Sequence, residues 1–194
     1  MLENINKIVV IGGPGTGKTT LSKKISSILS ISYFSIDNIK FYKNWIPKKR
    51  KDIDDDIYKI TNTDKWIIEG NHLKNLEIIL SKADIVIFLD FPLHLQLFGI
   101  FKRFFSSFKK CIKDMKNCEE KISFTFFIKT LLFNISKRPK IISTIMKRHD
   151  LRLYLIANYS QIDDFIIKLQ NGRKWSKLYN LFCFIFCHSL IHPF

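Results

Sequence analysis

The chain has 194 residues, enough to bury one substantial core and most simply one domain. Lys and Arg number 32 against 17 Asp and Glu, a formal charge of +15. That charge allows weak, salt-sensitive adhesion to nucleic acid, but the basic residues are scattered, with no zinc-finger or basic leucine-zipper pattern to suggest specific recognition.

Lys7 leads through the apolar run Ile8-Val9-Val10-Ile11 directly into glycines, so no secretory leader is expected and the chain reads as cytoplasmic. The periodicity predicts strand one over Lys7 to Ile11 and a helix from Lys18 to about Leu29, with Leu21, Ile25, Ile28 and Leu29 as its buried stripe. A short second strand, Tyr33 to Ile36, ends at Asp37. A polar, partly helical excursion follows through Tyr42, Trp45 and Pro47 to about Ile60, in which Lys48-Lys49-Arg50-Lys51 meets the acidic run after it. Strand three is Trp66-Ile67-Ile68, ending at Glu69-Gly70-Asn71, and Leu73 to Leu80 reads as a helix. Ile85 to Leu89 is strand four, ending at Asp90-Phe91-Pro92. The stretch from Leu93 to Lys147 is helical and basic, with Leu97, Ile100, Phe101, Phe104, Phe105 and Phe108 on one side. Strand five is expected at Leu153 to Ile156 and a last helix at Asp163 to Leu169. The apolar segments near Phe124 and Leu181 are too short to span a membrane. Cys111, Cys118, Cys183 and Cys187 read as packing residues. A zinc cluster of Cys183, Cys187, His188 and His192 is disfavoured by its apolar surroundings.

Between strand one and the first helix, Gly12-Gly13-Pro14-Gly15-Thr16-Gly17-Lys18-Thr19-Thr20 fits G-x-x-x-x-G-K-[ST]. Glycines let backbone N–H groups turn inward around phosphate oxygens, and the helix start adds its positive dipole end. Lys18 then supplies a cation for the β- and γ-phosphates, and the Thr19 hydroxyl a ligand for Mg²⁺. Strand ends repeat a pattern: Gly12, Asp37, Glu69 and Asp90 all fall where open parallel sheets bind ligands. Glu69 and Asp90 are candidate Mg²⁺-facing acids, directly or through water, with turn-capping carboxylates as the alternative. Asp37 can hold or deprotonate an acceptor hydroxyl, or cap a helix. Arg103 and Arg138 are candidate clamps on phosphoryl oxygens, against solvent-facing alternatives.

Together these residues resemble the small P-loop kinases related to adenylate kinase, and most nearly the bacterial topology modulation proteins of the FlaR type. The matching pieces are Gly12 to Thr20, Ser35-Ile36-Asp37 with Trp45, Trp66 to Asn71, Ala83 to Pro92, and Lys137-Arg138-Pro139-Lys140. The resemblance implies a three-layer α/β/α fold with a parallel five-stranded sheet of order 2-3-1-4-5. It also implies a kinase-like domain over 1–170, with an acceptor-binding excursion at 38–62 and a basic helical lid at 98–147. A C-terminal apolar extension, 171–194, would follow. Asp37 corresponds to the family's acid after strand two, and Glu69 stands where the family usually carries Asp. Arg103 falls in the helix where related kinases carry lid arginines. The expected activity is ATP- and Mg²⁺-dependent phosphoryl transfer to a small acceptor, a nucleoside or nucleotide, by a monomer or homodimer. The competing expectation is a nucleotide-responsive regulatory or DNA-associated protein with little turnover. A GTPase is disfavoured because no Asn-Lys-x-Asp follows strand four.

Overall fold

The structure is a computed structural model that describes residues 5–42, 46–114, 124–148 and 151–171. Trp45, Cys118 and the segment 172–194, with Cys183, Cys187, His188 and His192, lie outside the described residues.

Five parallel strands form the sheet: β1 (Lys7–Gly12), β2 (Tyr33–Ser35), β3 (Trp66–Glu69), β4 (Ile85–Leu89) and β5 (Arg152–Ile156), ordered β2-β3-β1-β4-β5. This is the 2-3-1-4-5 order implied by the resemblance. Strand β1 is central because it is apolar on both faces, as a doubly covered parallel strand must be. Ile8 and Val10 point into one core with Leu21, Ile25, Ile162 and Phe165. Val9 and Ile11 point into the other with Ile57, Leu76, Ile79 and Ile141. One side is therefore covered by α1 (Lys18–Leu29) and α8 (Tyr159–Gln170). The other side is covered by α3 (Arg50–Thr61), α4 (Leu73–Ser81) and α7 (Arg138–Met146).

The remaining elements are α2 (Ile36–Ile39), α5 (Leu93–Asp114), α6 (Phe124–Leu132) and a π-helical turn (Phe133–Lys137) between α6 and α7. Several boundaries differ from expectation. Helix α8 begins at Tyr159 rather than near Asp163, because Asn158 caps it by accepting from the Gln161 N–H at 2.9 Å. Strand β2 ends one residue early, and Ser35 rather than Asp37 holds the N-cap position of α2. The basic helical stretch is not wholly a lid: Phe133, Ile141, Ile142 and Ile145 are buried in the core behind β1 and β4. The α5 stripe is only partly covered, with Leu97, Ile100 and Phe104 half-buried. Its Phe101 and Phe105 are exposed, and among the described residues the buried α5 side chain is the polar Gln96. Among the described residues, no helix is long and apolar enough to cross a membrane. The mixed charge run of the excursion resolves into local pairs, Lys48–Asp56 at 2.5 Å and Arg50–Asp54 at 2.9 Å.

Candidate active site

The glycine loop leaves the carboxyl end of β1 and feeds α1, whose N-cap is Gly17 with φ 86° and no side-chain cap. The first N–H groups of α1 are thus left for a ligand, which is what an anion site needs. The loop is packed from behind. Gly15 has φ 75°, and a Cβ there would collide with the Gln96 carbonyl oxygen. Gly99 faces it from α5, where a Cβ would collide with the Gly15 carbonyl oxygen and the Tyr159 hydroxyl. Tyr159 donates to the Gly15 carbonyl at 2.7 Å and lies edge-on to Phe91, with ring centroids 4.8 Å apart.

A second clamp comes from the end of β3. The Asn71 side chain accepts from the Gly12 N–H at 3.1 Å and donates to the Gly12 carbonyl at 2.5 Å. Within the loop, the buried Thr16 hydroxyl donates to the Gly13 carbonyl at 2.9 Å, and Lys18 Nζ donates to the same oxygen at 2.7 Å. Desolvation lowers the pKa of the Lys18 ammonium, against the opposing attraction of Glu69 and then Asp37. Those two acids therefore act on the lysine from neighbouring strand ends.

Glu69 is almost fully buried. Its Oε2 accepts from the Thr19 hydroxyl at 3.3 Å and from the Tyr33 hydroxyl at 3.0 Å. Among the described residues, no group of three or more His, Cys, Asp or Glu could form a protein cage for a metal. Magnesium needs no such cage, since it keeps much of its water and takes one or two protein oxygens beside substrate phosphates. Thr19 and Glu69 supply hard oxygen of that kind next to a phosphate loop, so the residues fit the ion.

Lys18, Thr19, Glu69 and Asp37 thus gather at one edge. Asp37 is exposed there and pairs with Lys40 at 2.8 Å. Asp90, at the end of β4, is held differently: Arg138 takes both of its oxygens. Arg103 lies on an exposed part of α5. Thr20 is exposed on the first turn of α1.

Several residues of this edge carried no role in the sequence reading: Tyr33, Gln96, Gly99, Asn134 and Tyr159. Gln96 and Asn134 form a reciprocal amide pair at 3.0 and 3.2 Å, joining α5 to the π-helical turn, and Gln96 also donates to the Phe91 carbonyl at 2.7 Å. Gly99 did leave a signal, since an isolated glycine inside a helical pattern usually has a packing reason. The others are long-range partners that no local pattern marks.

A family model for the ATPase family associated with various cellular activities (AAA) matches residues 8–90, the span from β1 to the end of β4. A cytidylate kinase of Sulfurisphaera tokodaii is 30% identical over 136 residues, which is 61% of this chain and 74% of that protein. The shikimate kinase from Acinetobacter baumannii, solved with shikimate, aligns with a TM-score of 0.52 at 16% identity, covering 90% of this chain and 97% of that one. The shikimate kinase from Bacteroides thetaiotaomicron gives 0.51 at 12% identity, over 87% and 98% of the two chains. At such identities the two structures speak for the fold.

Proposed function

The chain belongs to the P-loop kinases, and from that premise we propose that it transfers the γ-phosphoryl group of ATP to a nucleoside or nucleotide. The observation that carries the proposal is the gathering of Lys18, Thr19, Glu69 and Asp37 at one sheet edge. A loop alone binds a nucleotide; a second acid beyond the loop's lysine gives the acceptor a place. The cytidylate kinase likeness supports a nucleotide-type acceptor over other small metabolites.

Bound at Thr19 and Glu69, Mg²⁺ would supply charge neutralisation across the β- and γ-phosphates. The chain's own groups do the rest. Backbone N–H groups of the loop and of the α1 start hold the phosphates. Lys18 exchanges the Gly13 carbonyl for a phosphoryl oxygen and stabilises charge there as transfer proceeds. Where the acceptor is a nucleoside, Asp37 orients its hydroxyl and receives its proton; a nucleoside monophosphate attacks through an ionised phosphate oxygen and needs no base. Arg138 leaves Asp90 to clamp the transferring group, a role for which its planar fork is suited. Arg103 stands on the same helical region as a second lid cation. The excursion 38–62 holds the acceptor, and the part of 98–147 that is not packed in the core closes over the nucleotide.

The narrower likeness to the FlaR-type topology modulation family rests on Gly12 to Thr20, Ser35 to Asp37 with Trp45, Trp66 to Asn71, Ala83 to Pro92 and Lys137 to Lys140. Lys18, Asp37, Glu69 and Asp90 among them stand at the strand ends beside the phosphate loop, so the likeness argues for kinase chemistry rather than for a nucleic-acid surface. The test is ATP consumption by purified protein against nucleosides, nucleoside monophosphates and small metabolic alcohols, beside the Lys18→Ala variant. Turnover with one acceptor and its loss in Lys18→Ala is the expected result. Absence of ATP binding by calorimetry removes the basis of the proposal.

A further inference from the structure

Tyr33 was given no role by its sequence position, yet it reaches the most buried carboxylate of the site. It stands on the edge strand β2, where Ser35 is the register partner of Glu69. Two positions earlier on a strand is the same face, so Tyr33 lies diagonally opposite Glu69, within reach of an aromatic side chain. Its ring packs against the core beneath α1, and its hydroxyl ends 3.0 Å from Glu69 Oε2. Thr19 donates to that same oxygen.

We propose that Tyr33 is a positioning residue for magnesium: with Thr19 it pins Glu69 Oε2, so that the other carboxylate oxygen is presented to the ion's water shell. The proposal rests on the kinase reading above and adds a residue to it. A glutamate has three rotatable side-chain bonds, and two donors on one oxygen remove most of that freedom before any ligand arrives. Thr19 spends its single proton on Glu69, which leaves its lone pairs for the metal. Tyr33 provides the second donor from a ring that the core holds still. Its proton does not leave at working pH: burial, the Glu69 charge and the hydrogen bond to Glu69 push the phenol up to about 12.

The test is calorimetric titration of the full chain with ADP, first in EDTA and then across a magnesium series, for wild type and Tyr33→Phe. The ring and its packing are kept, and one donor is lost. The expected result is an increase of about tenfold in the magnesium concentration that half-saturates the gain in ADP affinity, judged against the metal-free affinity of the same variant. Equal midpoints for wild type and Tyr33→Phe overturn the proposal and leave the kinase reading standing. A wild type whose ADP affinity does not respond to magnesium overturns both. If Tyr33→Phe melts at a lower temperature, the Glu69→Gln background decides. There, Tyr33→Phe has no further effect on the magnesium midpoint if Tyr33 acts through the carboxylate. The same shift in both backgrounds refutes that route.

Discussion

Arg138 closes on Asp90 with two parallel hydrogen bonds, Nε to Oδ1 at 2.6 Å and Nη2 to Oδ2 at 2.7 Å. The pair joins the end of β4 to the first residue of α7, just beyond the π-helical turn, and Asp90 is nearly buried while Arg138 is partly open. The hydrogen bond to Asp90 holds the guanidinium charged even more firmly than in an ordinary arginine. Four residues before Arg138, Asn134 makes the amide pair with Gln96. Two polar contacts thus moor the π-helical turn and the start of α7 to the strand end and to the helix that backs the phosphate loop. Short π-helical turns often occur where a helix must present side chains out of normal register, as Asn134 and Arg138 are presented here.

Arg138→Ala leaves a nearly buried carboxylate without its partner. Stability is expected to fall by about 1–3 kcal/mol in urea unfolding, discounted from the fully buried case because Arg138 is partly exposed. Phosphoryl transfer is expected to fall by about 10²–10³-fold, and Arg138→Lys to recover little, since an ammonium cannot make the two-point contact. Asp90→Asn separates two roles for the acid. If Asp90 serves as the mooring for Arg138, the double variant costs no more than the worse single one and the magnesium requirement stays fixed. A raised magnesium requirement in Asp90→Asn would assign the acid to the metal instead.

Lys18 carries a trade between stability and activity. Its pKa in the folded chain lies below the ordinary lysine value of 10.5, because desolvation outweighs the attraction of Glu69 and Asp37. Between the two values the unfolded chain binds more protons, so stability rises with pH across that window. Lys18→Met removes a desolvated charge. Transfer is expected to drop by about 100-fold or more, while the nucleotide-free variant melts above wild type at pH 7. Each kcal/mol recovered raises Tm by about 2–4 °C in a domain of this size. The gap should narrow as pH climbs toward the ordinary lysine value. Melting curves over pH 7 to about 10 check the sign; a variant less stable than wild type throughout would mean that the ammonium's contacts outweigh its desolvation.

What the sequence made legible was local. The alternation of Ile8 and Val10 against Val9 and Ile11 marks a strand buried on both faces, and the glycine spacing before Lys18 marks the loop. The strand order did not come from periodicity; it came through the family likeness. The site beyond the loop was legible only as acids at strand ends. Their partners are far along the chain: Asp90 and Arg138 are 48 residues apart, Tyr33 and Glu69 are 36 apart, and Gly15 and Tyr159 are 144 apart. Such pairs are set by which strands become neighbours, and no period of two or 3.6 reports that. The partial cover of the α5 stripe has the same origin. Amphipathic spacing shows that a helix has an apolar face, while the body it packs against decides how many turns are covered.

Gly99 offers a test in which two effects have opposite signs. In an exposed helix interior, Gly→Ala stabilises by about 1 kcal/mol. At Gly99 the new methyl meets the Gly15 carbonyl oxygen and the Tyr159 hydroxyl, both in place behind the loop. Overpacking of that kind costs about 1–3 kcal/mol, so a net loss of stability is expected. ADP affinity should weaken with it, because the loop is pushed from behind. A stabilised Gly99→Ala protein with unchanged ADP affinity would show that the loop and α5 are not in contact as described.

His72 follows Asn71 at the mouth of the excursion. Its Nδ1 is buried with no hydrogen-bond partner among the described residues. Burial lowers the pKa of the ring below the ordinary 6.5, Lys40 and Arg50 lower it further, and a contact with Asn75 and the charge of Asp54 oppose them. The sign then follows. In the window below 6.5 the unfolded histidine binds a proton that the folded one resists, so stability is lost as pH falls through that window. Wild type should therefore lose more Tm between about pH 7.5 and 5 than His72→Gln, by about 2 °C or more. The comparison is made between the two proteins at each pH, which cancels the carboxylates that titrate in both. Parallel curves would remove His72 from the acid response. A steeper curve for wild type would identify a neutral imidazole, wedged beside two cations, as a group the fold holds against protonation.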